Sequence, residues 1–241
     1  MDASSFLKDK VAIVTGAGRG IGRAIARRLG AAGANVVITS RTEDQLDQTR
    51  QLIEQEGGQA VCIVGDVTQE ADVQRLIAKA RSAYGGVDIL VNNVGAASLA
   101  TIDQMTPEVF DGMILANVRT VYLCSRAVWP IMTGRGGGAI VNIASIAAYD
   151  AFPGFAAYGA CKAFVVAYTR ELAKEGAAAH VQVYGVAPGA IETDMLRGPF
   201  PDFPADKTLS PDDVAAMVQT VLSPAYHHSS GQTVVVARAA H

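Results

Sequence analysis

Cysteine is scarce in this sequence: Cys62, Cys124 and Cys161 are the three in 241 residues. They are widely separated and odd in number, which excludes a disulfide framework and reads as reduced thiols in a cytoplasmic protein. The four histidines have no metal-ligand spacing, and His227-His228 falls in a polar turn, so no metal site is expected. No window approaches the ~18 uninterrupted apolar residues of a membrane span. Residues 1–10 are mixed in polarity and lack the apolar stretch of a secretory signal. Runs of lysine and arginine are missing too, and 20 basic against 23 acidic side chains leave a net charge of −3. Neither nucleic acid nor a membrane is therefore an expected partner.

What the chain does have is apolar material in a regular rhythm. Half of its residues are hydrophobic, enough for a large core in one domain. Apolar, β-branched runs fall at 11–15, 35–39, 60–64, 88–92, 139–143, 181–186 and 233–236. Helix-period segments lie between them at 21–32, 42–56, 69–84, 107–132, 156–176 and 211–222. This alternation predicts an α/β fold: a Rossmann-type, doubly wound, parallel seven-stranded sheet with helices on both faces, one domain over 1–241. Residues 197–209 break the rhythm with three prolines and two phenylalanines. Two readings stand for them: a proline-stiffened substrate loop, or an ordinary packed connection.

The first strand runs straight into Gly16-Ala17-Gly18-Arg19-Gly20-Ile21-Gly22 and then a helix. Glycines there permit a tight turn, and the helix N-terminus can receive a pyrophosphate. The pattern is T-G-x-x-x-G-x-G on Thr15, Gly16, Gly20 and Gly22. It is not G-x-G-x-x-G, because Ile21 occupies the third glycine position, and no Gly-Lys-Ser/Thr follows. A dinucleotide cofactor is the expected ligand, the alternative being an ordinary loop, which the position of the turn on the first strand disfavours. An NAD site usually carries an acid at the end of the second strand to hold the ribose 2′-hydroxyl. Here that position is Ser40-Arg41, with Arg19 in the turn. Two guanidinium forks suit a 2′-phosphate, so NADP(H) is expected. The alternative for Arg41 is a solvated residue at a helix start.

Tyr158 and Lys162 are four apart within 156–176, which puts both on one helix face. A nearby cation is expected to lower the tyrosine pKa and favour proton transfer. Ser145, just past the fifth strand, can hydrogen-bond a substrate oxygen beside the tyrosine. Singly, a Tyr/Lys pair is common on amphipathic helices and a serine after a strand is often a turn residue. Their conjunction with the glycine turn is what argues for chemistry.

With these motifs in order, the sequence resembles the short-chain dehydrogenase/reductase family over essentially its whole length. The matching elements are Thr15–Gly22, Asp66-Val67, Asn92-Asn93-Val94-Gly95, Asn117, Ser145, Tyr158-x-x-x-Lys162 and Pro188-Gly189. The resemblance implies a catalytic set of Ser145, Tyr158 and Lys162, with Asn117 joining through a water-linked proton relay. It further implies adenine contacts from Asp66 and Val67, and Asn93 beside the adenosine ribose. Lys162 would hold the nicotinamide ribose and Thr193 the carboxamide, with Tyr158, Ile21, Gly95, Pro188, Gly189 and Ile191 completing the cofactor set. From the residues alone, Asn117 also reads as a satisfied core amide, Asp66 as a strand-end turn residue, and Asn92 and Asn93 as braces between strands.

The implied reaction is NADP(H)-dependent reduction of a ketone or 3-oxoacyl group to a secondary alcohol, with Tyr158 as proton donor. Alternatives are alcohol oxidation, or a non-catalytic redox sensor. The latter is disfavoured because all four catalytic residues are present. Within the family, 188–195 is similar to 3-oxoacyl-[acyl-carrier-protein] reductases and related carbonyl reductases. Of the two arginines that dock the carrier protein there, one corresponds to Arg135 and the other position is Ala179. The loop 197–209 is also shorter than the usual lid, so an acyl-carrier protein is a doubtful partner. Two departures stand out: Val94 for the usual alanine, expected to alter packing, and Cys161 for a serine, expected to be packed. A homotetramer (or homodimer) is implied, with 107–132 and 156–176 at one interface and the tail 231–241 adding a contact.

Overall fold

Strand β1 (Val11–Thr15) is buried along its entire length, as five apolar or β-branched residues in a row predict. It pairs in parallel with β2 (Asn35–Ser40) on one side and β4 (Ile89–Asn92) on the other. β3 (Gln59–Val64) closes the first edge. Beyond β4 follow β5 (Gly138–Ile143), β6 (Val181–Pro188) and β7 (Thr233–Val236), giving the order β3-β2-β1-β4-β5-β6-β7 with every pairing parallel. The computed structural model describes residues 5–238, so part of the predicted C-terminal tail contact lies outside the described residues.

Alternation along each strand splits the core into two layers. Ala12, Val14, Val36 and Ile38 face helices α1 (Gly20–Ala31), α2 (Glu43–Gln55) and α8 (Pro211–Val221) through Ile25, Leu29, Leu46 and Val218. Ile13 and Val37 face α3 (Glu70–Tyr84), α5 (Thr120–Gly134) and α6 (Ala156–Gly176) through Leu76, Val128, Met132 and Leu172. Asn92, buried at the end of β4, donates to Asn142 Oδ1 at 2.9 Å and Ser125 Oγ at 3.1 Å. Asn142 in turn donates to Thr169 Oγ1 at 3.0 Å. The bracing role expected for Asn92 is thus met by a network tying two strands to α5 and α6.

Two elements depart from the sequence reading. The expected single helix 107–132 is α4 (Pro107–Ile114), a π-helical turn (Leu115–Arg119), and α5. Helical periodicity cannot reveal one inserted residue per turn, and such insertions are frequent at functional sites. Past β6 there is also a four-residue helix, α7 (Asp194–Arg197), too short to show a period. The order of strand addition reverses in the sheet between β1 and β4, and ligands of open α/β sheets bind at that point beyond the strand ends.

Candidate active site

The cleft at this switch point encloses about 1350 Å³. Its first wall is the turn after β1. Gly16 (φ +65°) and Gly20 (φ +54°) adopt the left-handed backbone that glycine alone enters cheaply. A Cβ on Gly22 would collide with the Gly16 carbonyl oxygen, so this glycine lets the helix start close against the turn. α1 begins with no side-chain cap and no acidic residue in its first turn. Its leading N–H groups therefore have no competing carboxylate, and the turn fits a pyrophosphate.

Thr15 does not line the cleft. It is buried, donates from Oγ1 to Val91 O at 3.3 Å and accepts from Asn93 N at 3.0 Å. Its motif position reflects a β1–β4 tie rather than a ligand contact. Asn93 combines both jobs: it lines the cleft while Nδ2 donates to the carbonyls of Thr15 (3.0 Å) and Gly16 (3.2 Å). Ile21, Ser40, Arg41, Asp66 and Val67 line the same end. The Asp66 carboxylate also accepts from Thr68 N at 3.0 Å, so the turn role holds alongside cleft exposure. Arg19 reaches across to Asp194 Oδ2 at 2.8 Å, both side chains being exposed. Separated by 175 residues, that pair left no signal in the sequence.

The other end brings the four predicted catalytic residues together. Asn117 sits in the π-helical turn, fully buried; its Nδ2 donates to Ala96 O at 2.8 Å and Met113 O at 3.0 Å. A Cβ on Gly95 would lie 2.8 Å from Asn117 Oδ1 and 3.3 Å from Lys162 Nζ, which explains a glycine there. Lys162, also buried, donates to Ile143 O at 3.0 Å, and its Nζ is 5.8 Å from the centre of the Tyr158 ring. The Ser145 hydroxyl accepts from Ala147 N at 3.2 Å and lies near enough to Tyr158 to favour its ionised form.

The expected lowering of the Tyr158 pKa does not occur. Burial pushes it up, with the Ser145 hydroxyl opposing. Burial also pulls Lys162 down to about 8, so desolvation weakens the very cation that was to favour the phenolate. The pair therefore presents a neutral phenol as a proton donor beside a lysine that loses its charge readily.

Pro188, Gly189, Ile191 and Thr193 line the cleft opposite the glycine turn, and a Cβ on Gly20 would meet Thr193 Cγ2 at 3.4 Å. The proline-rich stretch is a folded loop: Arg197 pairs with Glu192 and donates to Pro201 O at 3.0 Å, while Leu209 bridges to Ile191. It puts Phe200 and Phe203 into the cleft wall. Phe155 packs on Tyr158 at 5.3 Å between ring centres, a contact signalled in sequence only by its i, i+3 spacing. Val94 packs against the core and Cys161 is buried, both as expected. Arg135 is tied to Asp88 at 3.7 Å and does not line the cleft. No cluster of three potential metal ligands occurs among the described residues, and no described helix is long and apolar enough to cross a membrane.

Comparison with known proteins agrees with this geometry. The short chain dehydrogenase family profile matches residues 10–202. Dehydrogenase/reductase SDR family member 4 from Oryctolagus cuniculus is 37% identical over 96% of this chain and 93% of its own length. An uncharacterized oxidoreductase from Thermotoga maritima is 37% identical over 80% of this chain and 75% of its own. A solved structure of 7 alpha-hydroxysteroid dehydrogenase, complexed with NADH and 7-oxo glycochenodeoxycholic acid, is 34% identical with a TM-score of 0.91. It covers 98% of this chain and 96% of that one.

Proposed function

Because this chain belongs to the short-chain dehydrogenase/reductase family, a nicotinamide-dependent oxidoreductase of alcohols and carbonyls, we propose that it uses NADPH to reduce ketones. The observation that carries the reading is one cleft joining an uncapped, glycine-cradled helix start to Tyr158, Ser145, Lys162 and Asn117. When bound, the dinucleotide supplies the hydride equivalent to the carbonyl carbon. Tyr158 donates its phenolic proton to the substrate oxygen, and its upward-shifted pKa keeps that proton available at neutral pH. Ser145 hydrogen-bonds the same oxygen and steadies the charge developing there. Lys162 holds the nicotinamide ribose and, as a buried cation at neutral pH, balances the tyrosinate left behind. Asn117 positions the relay that returns a proton.

Cofactor preference rests on Arg19 and Arg41. No carboxylate follows β2 to hold a free 2′-hydroxyl, whereas Ser40 and Arg41 line that end. Asp66 and Val67 serve the adenine, and Gly95, Ile191 and Thr193 the nicotinamide side. The cytoplasm, with abundant NADPH, suits this direction. A homotetramer is the proposed assembly, supported by exposed Tyr122 on α5 and Phe164 on α6, the latter stacked on Tyr168 at 5.3 Å. A monomer in solution scattering would count against it. For the function itself, loss of NADPH absorbance with a ketone panel is the test. Turnover with NADPH well above NADH is expected; tight NADPH binding without turnover of any ketone would favour a sensor.

A further inference from the structure

The cofactor half of the cleft and the substrate half differ in charge. Its lining cations are Arg19 and Arg23 from the glycine turn and α1, Arg41 after β2, and Lys162, which is turned to Ile143 O. None comes from the substrate-side segments 96–98, 109–117, 146–155 or 195–203. Arg197, the nearest candidate in sequence, is occupied by Glu192 and by loop carbonyls. Asp150 lines the cleft on that side, and it has no ion-pair partner among the described residues.

Aromatic surface takes the place of charge. The chain has seven phenylalanines, and Phe152, Phe155, Phe200 and Phe203 all line this end, a concentration that core packing does not call for. Phe200 stands edge-on to Phe152 (5.7 Å, 89°) and to Phe155 (5.9 Å, 86°), and Phe155 rests on Tyr158. Phe152 remains 52% exposed, so the wall presents apolar area that a ligand can cover. Such edge-to-face arrays favour another flat ring.

Resting on the ketone-reductase reading above, we infer that this wall selects uncharged ketones bearing an aryl group, and rejects anionic ones. Phe200 sets the preference. Its ring packs on Phe155, which in turn packs on Tyr158, so it shapes the pocket from behind the ring that adjoins the proton donor. A ring placed against it gains apolar burial near the donor hydroxyl. A carboxylate there meets no cation and must be desolvated against phenylalanine, with Asp150 repelling it.

The test compares kcat/KM with NADPH for acetophenone, butanone, methyl 4-acetylbenzoate and 4-acetylbenzoate. Acetophenone is expected to exceed butanone, and the methyl ester its free acid, each by about tenfold or more, the scale on which apolar pockets discriminate. Phe200→Ala should shrink the acetophenone-to-butanone ratio to within about threefold, mainly through KM, and Phe200→Tyr should restore it. Equal rates for ester and acid, or a ratio untouched in Phe200→Ala, would overturn the inference while leaving ketone reduction standing. If no ketone turns over, the functional reading fails instead. Calorimetric affinities of the NADP⁺-loaded protein for acetophenone and 4-acetylbenzoate then decide the inference separately: tighter binding of acetophenone supports it, and equal binding overturns it.

Discussion

The dinucleotide end and the substrate end of the cleft are made of different materials. The first is backbone: left-handed glycines, a helix start and strand termini held by Thr15 and Asn93, all fixed by the buried strands β1 and β4. The second is side chain: phenylalanines on the irregular segment before α6, at the start of α6, and on a loop fastened by Arg197 and Glu192. A cofactor that never changes can be met by geometry that never changes, whereas a loop wall can be altered without disturbing the sheet. The catalytic residues lie where the two meet, and they share the rigid side's construction: Ser145 follows β5, Lys162 is anchored to the last residue of β5, and Asn117 is locked to Ala96.

The contrast breaks hardest at Tyr158. Tyr158→Phe removes one hydroxyl at the junction and should cut kcat by ~10²–10⁴, the worth of a general acid, while the NADPH Kd stays within about threefold. More than about a tenth of wild-type kcat in steady-state assays would refute the donor role. Arg41→Asp acts wholly on the dinucleotide end. Charge-assisted hydrogen bonds are worth ~1.5–3 kcal/mol, so kcat/KM for NADPH should fall by roughly ten- to hundredfold, with NADH changing little. A fall of less than about threefold would mean that Arg41 is only a solvated helix-start residue.

Legibility in the sequence follows the same division. The rigid end was readable because its determinants are local: β-branched runs, glycines at fixed offsets, a helix opening directly after a strand. All seven strands lie where apolar periodicity put them, with boundaries moved by a residue or two. Thr15 was readable as a motif member but not in its role, because a strand-end hydroxyl points to either a ligand or a neighbouring strand. The π-helical turn was hidden, since Asn117 weakens a helix without saying how the helix yields. Least legible was the electrostatics of Tyr158 and Lys162. Spacing shows that two groups share a face, but burial decides whether charge or desolvation governs their pKa, and here desolvation does.

That outcome gives a smaller effect with a definite sign. An unfolded lysine titrates near ~10.4, while burial in the fold pulls Lys162 down to about 8. Below pH 8 both states carry the proton, and the full cost of burying the charge is present. Between about 8 and ~10.4 the unfolded chain binds more protons than the folded one, so stability from this group rises with pH. Lys162→Met should therefore have a higher Tm than wild type at pH 7, and the difference should shrink towards pH 10. A constant difference across that range, measured by calorimetry without cofactor, would show that Lys162 is not desolvated as the fold implies.

The smallest effect concerns the ion pair that spans both walls. Arg19 and Asp194 are exposed, and such pairs contribute ~0–1 kcal/mol, so Asp194→Ala should shift stability by no more than that. Its consequence for binding has the opposite sign. If Arg19 serves the 2′-phosphate, Asp194 competes for the same guanidinium in the free enzyme. Removing the carboxylate then frees Arg19 and should tighten NADPH by a few-fold, about the value of the exposed pair it replaces, with NADH unaffected. Fluorescence titration of both cofactors reads this directly. Equal tightening of NADH would assign the effect to general charge, and weakening of NADPH would mean that Asp194 helps to hold the loop over the cofactor instead of competing for its arginine.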